Sequence, residues 1–128
     1  MKMEHVTIQT NKYEESINFY KAICGLEIQR QFEGDTKITF LANAAGETCI
    51  ELIDNPHAKP VGDCISVGFH VDDVVAYHKA LEAKDMHPTP IIGNGTTPPG
   101  LGRQLQIFLL PERSVNKCGS MKKNYSFL

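Results

Sequence analysis

Residues 5–10, HVTIQT, decide the fold, because a similar segment returns at residues 66–71 as SVGFHV. Each segment reads as a strand, and each is followed by a short turn and a helix-like stretch. A repeat with a period near half of the chain indicates two copies of one supersecondary unit. We expect two such units to share a groove that is lined by polar side chains from their strands.

The polar residues of these strands are the first candidates for a site. In the first strand the side chains alternate, so His5, Thr7 and Gln9 lie on one face and Val6 and Ile8 on the other. The remaining candidates are Glu51, Ser66 and His70.

Glu51 stands out because it interrupts the apolar run CIELI at residues 49–53. A carboxylate in such a strand costs free energy unless it is paired, protonated or functional. A salt bridge is therefore the alternative to a role in a site. The same choice applies to His5 and Gln9, each of which can also be an ordinary strand residue, and to His70, which can hydrogen-bond near a helix start.

The first half reads β-α-β-β-β. Asn11 can cap the helix, and Gly25 is typical of a helix end. Three strand-like runs follow at residues 26–32, 37–41 and 48–53, separated by turn residues.

The second half begins in the same way, with a strand at 66–71 and Asp72 or Asp73 as the helix cap. We then predict strands at 88–92 and 104–110, and an irregular tail after Leu110.

A single domain over residues 1–128 fits the length of the chain. We expect module one at about 1–54, a linker at about 55–63, module two at about 64–117 and the irregular tail at about 118–128.

Composition narrows the class of protein. A net charge of -2 gives no electrostatic argument for nucleic acid, and no stretch approaches the length of a membrane span. The four cysteines form no Cys-x-x-Cys pair and no signal peptide is visible, which predicts reduced thiols in a cytoplasmic protein.

The chain resembles the vicinal-oxygen-chelate superfamily, which includes glyoxalase I, bleomycin-resistance proteins and extradiol dioxygenases. The resemblance lies in HVTI at 5–8, SINFY at 16–20, GLE at 25–27, CIEL at 49–52 and VGFHVDDV at 67–74. It implies an α+β fold of paired β-α-β-β-β modules that form a cupped mixed sheet. It also implies a homodimer with a small-molecule substrate or ligand.

In metal-using members of this superfamily four side chains hold one divalent ion, such as Ni, Zn, Mn or Fe. His5 and Glu51 match the two positions of the first half. In the second half Ser66 stands where the third ligand belongs, and Asn116 or Lys117 where a glutamate is expected. Two of the four expected ligands are therefore missing.

The resemblance implies a metal-dependent lyase or isomerase of lactoylglutathione-lyase type, acting on a small oxygenated substrate. Glu51 would be the catalytic base or a metal ligand, and His5 a metal ligand. Substrate contacts would come from Gln9, His70, Ser66 and Arg103. The alternative is a metal-free protein that sequesters a ligand, as bleomycin-resistance proteins do, so catalysis stays open at this point.

Overall fold

The computed structural model describes residues 1–59, 66–91, 108–111 and 124–127. The chain divides into two compact units, Met1–Lys59 and Pro60–Leu128. The first unit consists of β1 (His5–Thr10), α1 (Tyr13–Ala22), β2 (Glu27–Glu33), β3 (Lys37–Ala42) and β4 (Cys49–Asp54). The predicted β-α-β-β-β order of the first half is thus confirmed.

The first unit is a mixed four-stranded sheet in the order β1-β4-β3-β2. β1 runs parallel to β4, and the other two pairs are antiparallel. Helix α1 packs on one face of this sheet, where the Tyr13 hydroxyl hydrogen-bonds to the buried Thr39 hydroxyl. The apolar stripe of α1, including Ile17 and Tyr20, supplies the core of the unit.

Helix α1 begins differently from the prediction. Its N-cap is Lys12, without a side-chain cap, so the expected role of Asn11 is wrong. Instead the Ser16 hydroxyl donates to the Lys12 carbonyl at 2.7 Å, and the Lys12 amide donates to the Thr10 hydroxyl at 3.0 Å. Gly25 adopts a φ of 68° beyond the helix end, as its position in the sequence predicts.

The described part of the second unit comprises β5 (Ser66–Phe69), α2 (Val74–Ala83), β6 (Phe108–Pro111) and β7 (Asn124–Phe127). β5 runs parallel to β7, and β6 is antiparallel to β7, so first and last strands pair as they do in the first unit. Both helices have ten residues and begin eight residues after the start of the preceding strand. The Asp73 carboxylate caps α2 by accepting from the Ala76 amide at 2.9 Å.

Two differences from the expected elements lie in the second unit. Residues 88–91 are not a strand; the prolines at positions 88 and 90 cannot donate to a ladder. Residues 124–127 form a strand, where an irregular tail was expected. Within the described residues, neither helix is long and apolar enough to cross a membrane. The proposed limits of the two modules, and of a single domain, stay predictions.

Candidate functional site

A row of in-register residues crosses the first sheet. Thr7 pairs with Glu51, Glu51 with Phe40, and Phe40 with Arg30. Directly paired residues present their side chains on the same face of a sheet. Because Thr39, next to Phe40, faces helix α1, this row lies on the opposite face. We call that face, with His5 and Gln9, the open face of the first unit.

Glu51 is the polar centre of the open face. The Thr7 hydroxyl donates a hydrogen bond to its Oε2, and His5 Nε2 lies 3.5 Å from the same oxygen. The side chain of Glu51 is only 13% exposed, whereas that of His5 is 44% exposed. Among the described residues, no hydrogen bond or ion pair reaches the second carboxylate oxygen, Oε1. This oxygen is therefore left to accept a hydrogen bond from outside the unit.

Three groups surround the Phe40 ring on the open face. The His5 ring meets it edge-on at 5.9 Å between centroids, and the Phe32 ring does so at 6.2 Å. The Arg30 guanidinium lies over the ring, with Cζ 4.8 Å from the centroid, which is a cation–π distance. Phe40 is almost buried, whereas Phe32 is half exposed. The open face thus offers aromatic surface beside the Glu51 carboxylate.

A cleft of about 560 Å³ lies beside Gln9 at the end of the first sheet, within the size range of small-molecule sites. Its walls are the β2–β3 turn and the residues from the end of β4. The side-chain amide of Asn55 donates from Nδ2 to Gln9 Oε1 at 2.7 Å. The backbone amide of His57 donates to Asn55 Oδ1 at 2.9 Å. Gln9 is therefore held in place at the cleft, two residues along the strand from Thr7.

The structure brings His5, Glu51 and Gln9 to one face, as the sequence predicts. The pair formed by His5 and Glu51 also agrees with the simpler prediction that Glu51 is in a salt bridge. Ser66 and His70 belong to the second unit, where Ser66 begins β5 and His70 is an exposed residue directly after it. Arg103 lies outside the described residues.

The donor set matches half of a divalent metal site. Two ligands at about 2.1 Å from one ion lie roughly 3.4 Å apart in tetrahedral geometry, close to the 3.5 Å between His5 and Glu51. In the second unit, Ser66 takes the position of His5, and Ser126, opposite Gly68, takes that of Glu51.

Serine hydroxyls are not among the side chains that usually hold these ions. The closing strand β7 begins at Asn124, further along the chain than Asn116 or Lys117, which were predicted to stand at the position of the fourth ligand. No three His, Cys, Asp or Glu side chains converge in the part of the chain that the structure describes. A complete four-ligand metal centre is not formed by these residues.

Sequence reasoning missed Arg30, Phe32 and Phe40. Regular alternation along β2 would place Arg30 and Phe32 on the same face as the buried Leu26. A bulge shifts the register between Ile28 and Arg30, so that the residues after it face the other way. The turn between β2 and β3 can be recognised from Glu33-Gly34-Asp35, whereas no residue type in β2 predicts the bulge.

The chain belongs to the Glyoxalase/Bleomycin resistance protein/Dioxygenase superfamily, whose family model matches residues 2–104. The resemblance noted in the sequence is thereby confirmed. A comparison with curated proteins gives no match.

Solved structures of the same fold come from proteins with different roles. The trypanothione-dependent glyoxalase I of Leishmania major superposes with a TM-score of 0.70 at 18% identity, over 100% of this chain and 86% of that one. TnmS3, an antibiotic-binding protein from Streptomyces sp. CB03234, gives 0.64 at 15% identity over 99% and 93%.

The fosfomycin-resistance protein FosX from Listeria monocytogenes, solved as a glutamate-to-glutamine mutant with Mn(II) and a phosphonic acid, gives 0.61 at 14% identity over 98% and 89%. These likenesses confirm the α+β fold class with its paired modules. At such identities they establish the fold and not an activity.

Proposed function

We propose that this protein binds a small oxygenated organic molecule on the open face of its first unit, with Glu51 as the central polar contact. The observation that carries the proposal is the half-satisfied carboxylate. Oε2 of Glu51 is engaged by Thr7 and lies close to His5, while Oε1 has no partner among the described residues. A nearly buried carboxylate with one free oxygen is a strong acceptor for a ligand hydroxyl or amine.

The surroundings of Glu51 support the same proposal. Phe32, which packs edge-on against the buried Phe40 ring, supplies apolar surface for the body of a ligand, and the exposed edge of His5 can donate or accept a hydrogen bond. The cleft beside Gln9, with a volume of about 560 Å³, provides further space for a ligand. A mostly apolar surface with a few convergent polar groups is the usual form of a small-molecule site.

Sequestration of such a ligand without chemistry is the first form of this function. It needs only the contacts described above, and TnmS3 is an antibiotic-binding protein with the same fold. The protein would act as a homodimer in the cytoplasm. The superfamily supports the homodimer, and the composition, which indicates reduced thiols, supports the cytoplasm.

A metal-dependent lyase of lactoylglutathione-lyase type is the second candidate, favoured by the 3.5 Å separation of His5 and Glu51. These two residues would hold part of the coordination of a divalent ion such as Ni, Zn, Mn or Fe. When bound, such an ion polarises vicinal substrate oxygens. The role of Glu51 in such a lyase would be to accept a proton from the adjacent carbon through its free oxygen.

Ligand-observed NMR with a library of small hydroxylated and carbonyl compounds tests the binding proposal. Glu51→Gln should weaken the compounds that bind wild-type protein by about 10-fold or more, because hydrogen bonds to charged groups contribute about 1.5–3 kcal/mol. Glu15→Gln, an exposed change on α1 with the same loss of charge, is the matched control. Equal binding by wild type and Glu51→Gln would overturn the proposal.

Metal titration separates the two candidates. Calorimetry with Ni, Zn, Mn and Fe is run on wild type and on His5→Ala, together with a lyase assay on the methylglyoxal–glutathione adduct. One tightly held ion that His5→Ala loses, with turnover, supports the lyase. No retained ion and no turnover, in a protein that still binds ligands through Glu51, supports sequestration.

A further inference from the structure

Arg30 provides a second charged group on the open face, on the opposite side of Phe40 from Glu51. Arg30, Phe40 and Glu51 are consecutive members of one cross-strand row. Because neighbouring strands lie about 4.8 Å apart, the Cα atoms of Arg30 and Glu51 are separated by roughly 10 Å. The Arg30 guanidinium itself lies over the Phe40 ring, so one small organic molecule on the open face can contact both charged residues.

The guanidinium of Arg30 is oriented by the ring and not by a carboxylate. Its Cζ lies 4.8 Å from the Phe40 centroid, and within the described residues no Asp or Glu side chain forms an ion pair with it. A cation–π contact engages the guanidinium through its charge and uses none of its N–H groups as hydrogen-bond donors to a carboxylate, so the planar fork remains able to bind a carboxylate with two parallel hydrogen bonds. Arg30 is exposed, so these donors are accessible to a solute.

The bulge in β2 determines this placement. The Gln29 side-chain amide donates to the carbonyls of Glu27 at 3.2 Å and of Ala42 at 3.4 Å. These bonds engage backbone acceptors at the bulge, where the ladder is interrupted between Ile28 and Arg30. The bulge turns Arg30 and Phe32 to the face that carries Glu51.

We infer that the ligand is a small carboxylate with a hydrogen-bond donor at its other end. Its carboxylate is bound by Arg30, its apolar body lies against the exposed Phe32, and its donor reaches Oε1 of Glu51. This inference rests on the proposed function, because it uses the same free oxygen. It adds that the ligand is anionic and that the two ends of the ligand are recognised by opposite charges.

The test uses 4-hydroxyphenyl-acetate, -propionate and -butyrate, each paired with its primary amide. In calorimetry or ligand-observed NMR, at least one carboxylate should bind wild-type protein about 10-fold more tightly than its amide. Arg30→Gln should remove that preference, because it weakens binding of the carboxylate by more than binding of the amide. Arg30→Lys, which keeps the charge and loses the planar fork, should give an intermediate loss.

Lys21→Gln is the matched control, because it removes one positive charge at the exposed end of α1. The carboxylate preference should persist in this variant, and it should fall with added salt, as expected for a charge interaction at an exposed site. Circular dichroism of each variant verifies that the fold is retained.

Several outcomes decide the inference. A carboxylate preference that Arg30→Gln leaves intact overturns the role of Arg30. Glu51-dependent binding of neutral compounds alone, with none of the carboxylates, overturns the anionic ligand and leaves the proposed function standing. If no compound, charged or neutral, shows binding that depends on Glu51, the proposed function and this inference both fail.

Discussion

The two units share a strand-helix beginning and the parallel pairing of first and last strands, but they carry different chemistry. The third residue of the first strand is Thr7 in the first unit and Gly68 in the second. Thr7 pairs with Glu51, whereas Gly68 pairs with Ser126. His5 has Ser66 as its counterpart. The repeat thus preserves the topology, which needs only strand and helix patterns, while at these corresponding positions His5 and Glu51 of the first unit are replaced by serines in the second.

The largest effects should come from the cores, where the comparison predicts similarity. Leu41 in β3 and Leu81 in α2 are both fully buried. Leu41→Ala and Leu81→Ala should each lower the free energy of unfolding by about 2–5 kcal/mol, because each removes apolar contacts and leaves a cavity. Urea denaturation measures the change. Val75→Ala, at an exposed site on α2, is the control, and a cost below about 1 kcal/mol for Leu81→Ala would show that the second unit is not packed like the first.

The helix exits should differ between the units. Gly25 adopts a φ of 68° and Asp85 a φ of 57°, both in the left-handed region. Gly25→Ala should cost about 1–2 kcal/mol from backbone conformation alone, since no atom lies within 4 Å of the added Cβ. Asp85→Gly should change stability by less than about 0.5 kcal/mol, because aspartate tolerates this region and glycine adds entropy to the unfolded chain. Thermal unfolding decides, and a destabilisation by Asp85→Gly as large as that of Gly25→Ala would contradict the comparison.

The N-caps of the two helices should contribute differently to stability. Asp73 caps α2 through its side chain, whereas α1 has no side-chain cap. Asp73→Ala should therefore destabilise by about 1 kcal/mol, and Asn11→Ala by less than about 0.5 kcal/mol. Chemical denaturation of the two variants measures both. Equal losses would mean that Asn11 also acts as a cap in solution.

The smallest effect concerns Cys24, a thiol just beyond α1 that has no counterpart after α2. Burial raises the pKa of Cys24 above its ordinary value of 9.0. The unfolded thiol therefore loses its proton first as pH rises, so this group favours folding below about pH 9 and that contribution is lost at higher pH. Between pH 8 and pH 10 the wild type should lose more stability than Cys24→Ala.

Cys49→Ala serves as the control for removing a thiol, because Cys49 is also free and partly exposed. Native Cys24 should also react more slowly than Cys49 with a thiol reagent at pH 8, since the thiolate is the reactive form. A pH dependence of stability that is identical in wild type and Cys24→Ala would contradict the raised pKa.

Much of the fold could be predicted from local patterns. The alternation in residues 5–10, the apolar stripe of α1 and the Asp73 cap each depend on residues within a few positions of one another. The prediction was wrong where local signals were weak or in competition. Asn11 does not cap α1, and the Thr10 hydroxyl accepts from the Lys12 amide at its start. Residues 124–127 pair with strands distant in sequence.

The candidate site was predictable in part. His5, Gln9 and Glu51 were identified from strand alternation and from the cost of a carboxylate in an apolar strand. That Thr7 and His5 both approach the same oxygen of Glu51 depends on the pairing of β1 with β4, which are separated by more than forty residues. Sequence spacing alone cannot specify such a register.

By itself the sequence determined the repeat, the superfamily and the position of Glu51 within an apolar strand, because these follow from side-chain type and short-range order. Only the tertiary structure decided that Arg30 and Phe32 share a face with Glu51. A one-residue shift of register moves every following side chain to the other side of a strand, and the bulge between Ile28 and Arg30 makes that shift. The register of β7 likewise decided that Ser126 corresponds to Glu51, since strand pairing depends on contacts between distant parts of the chain.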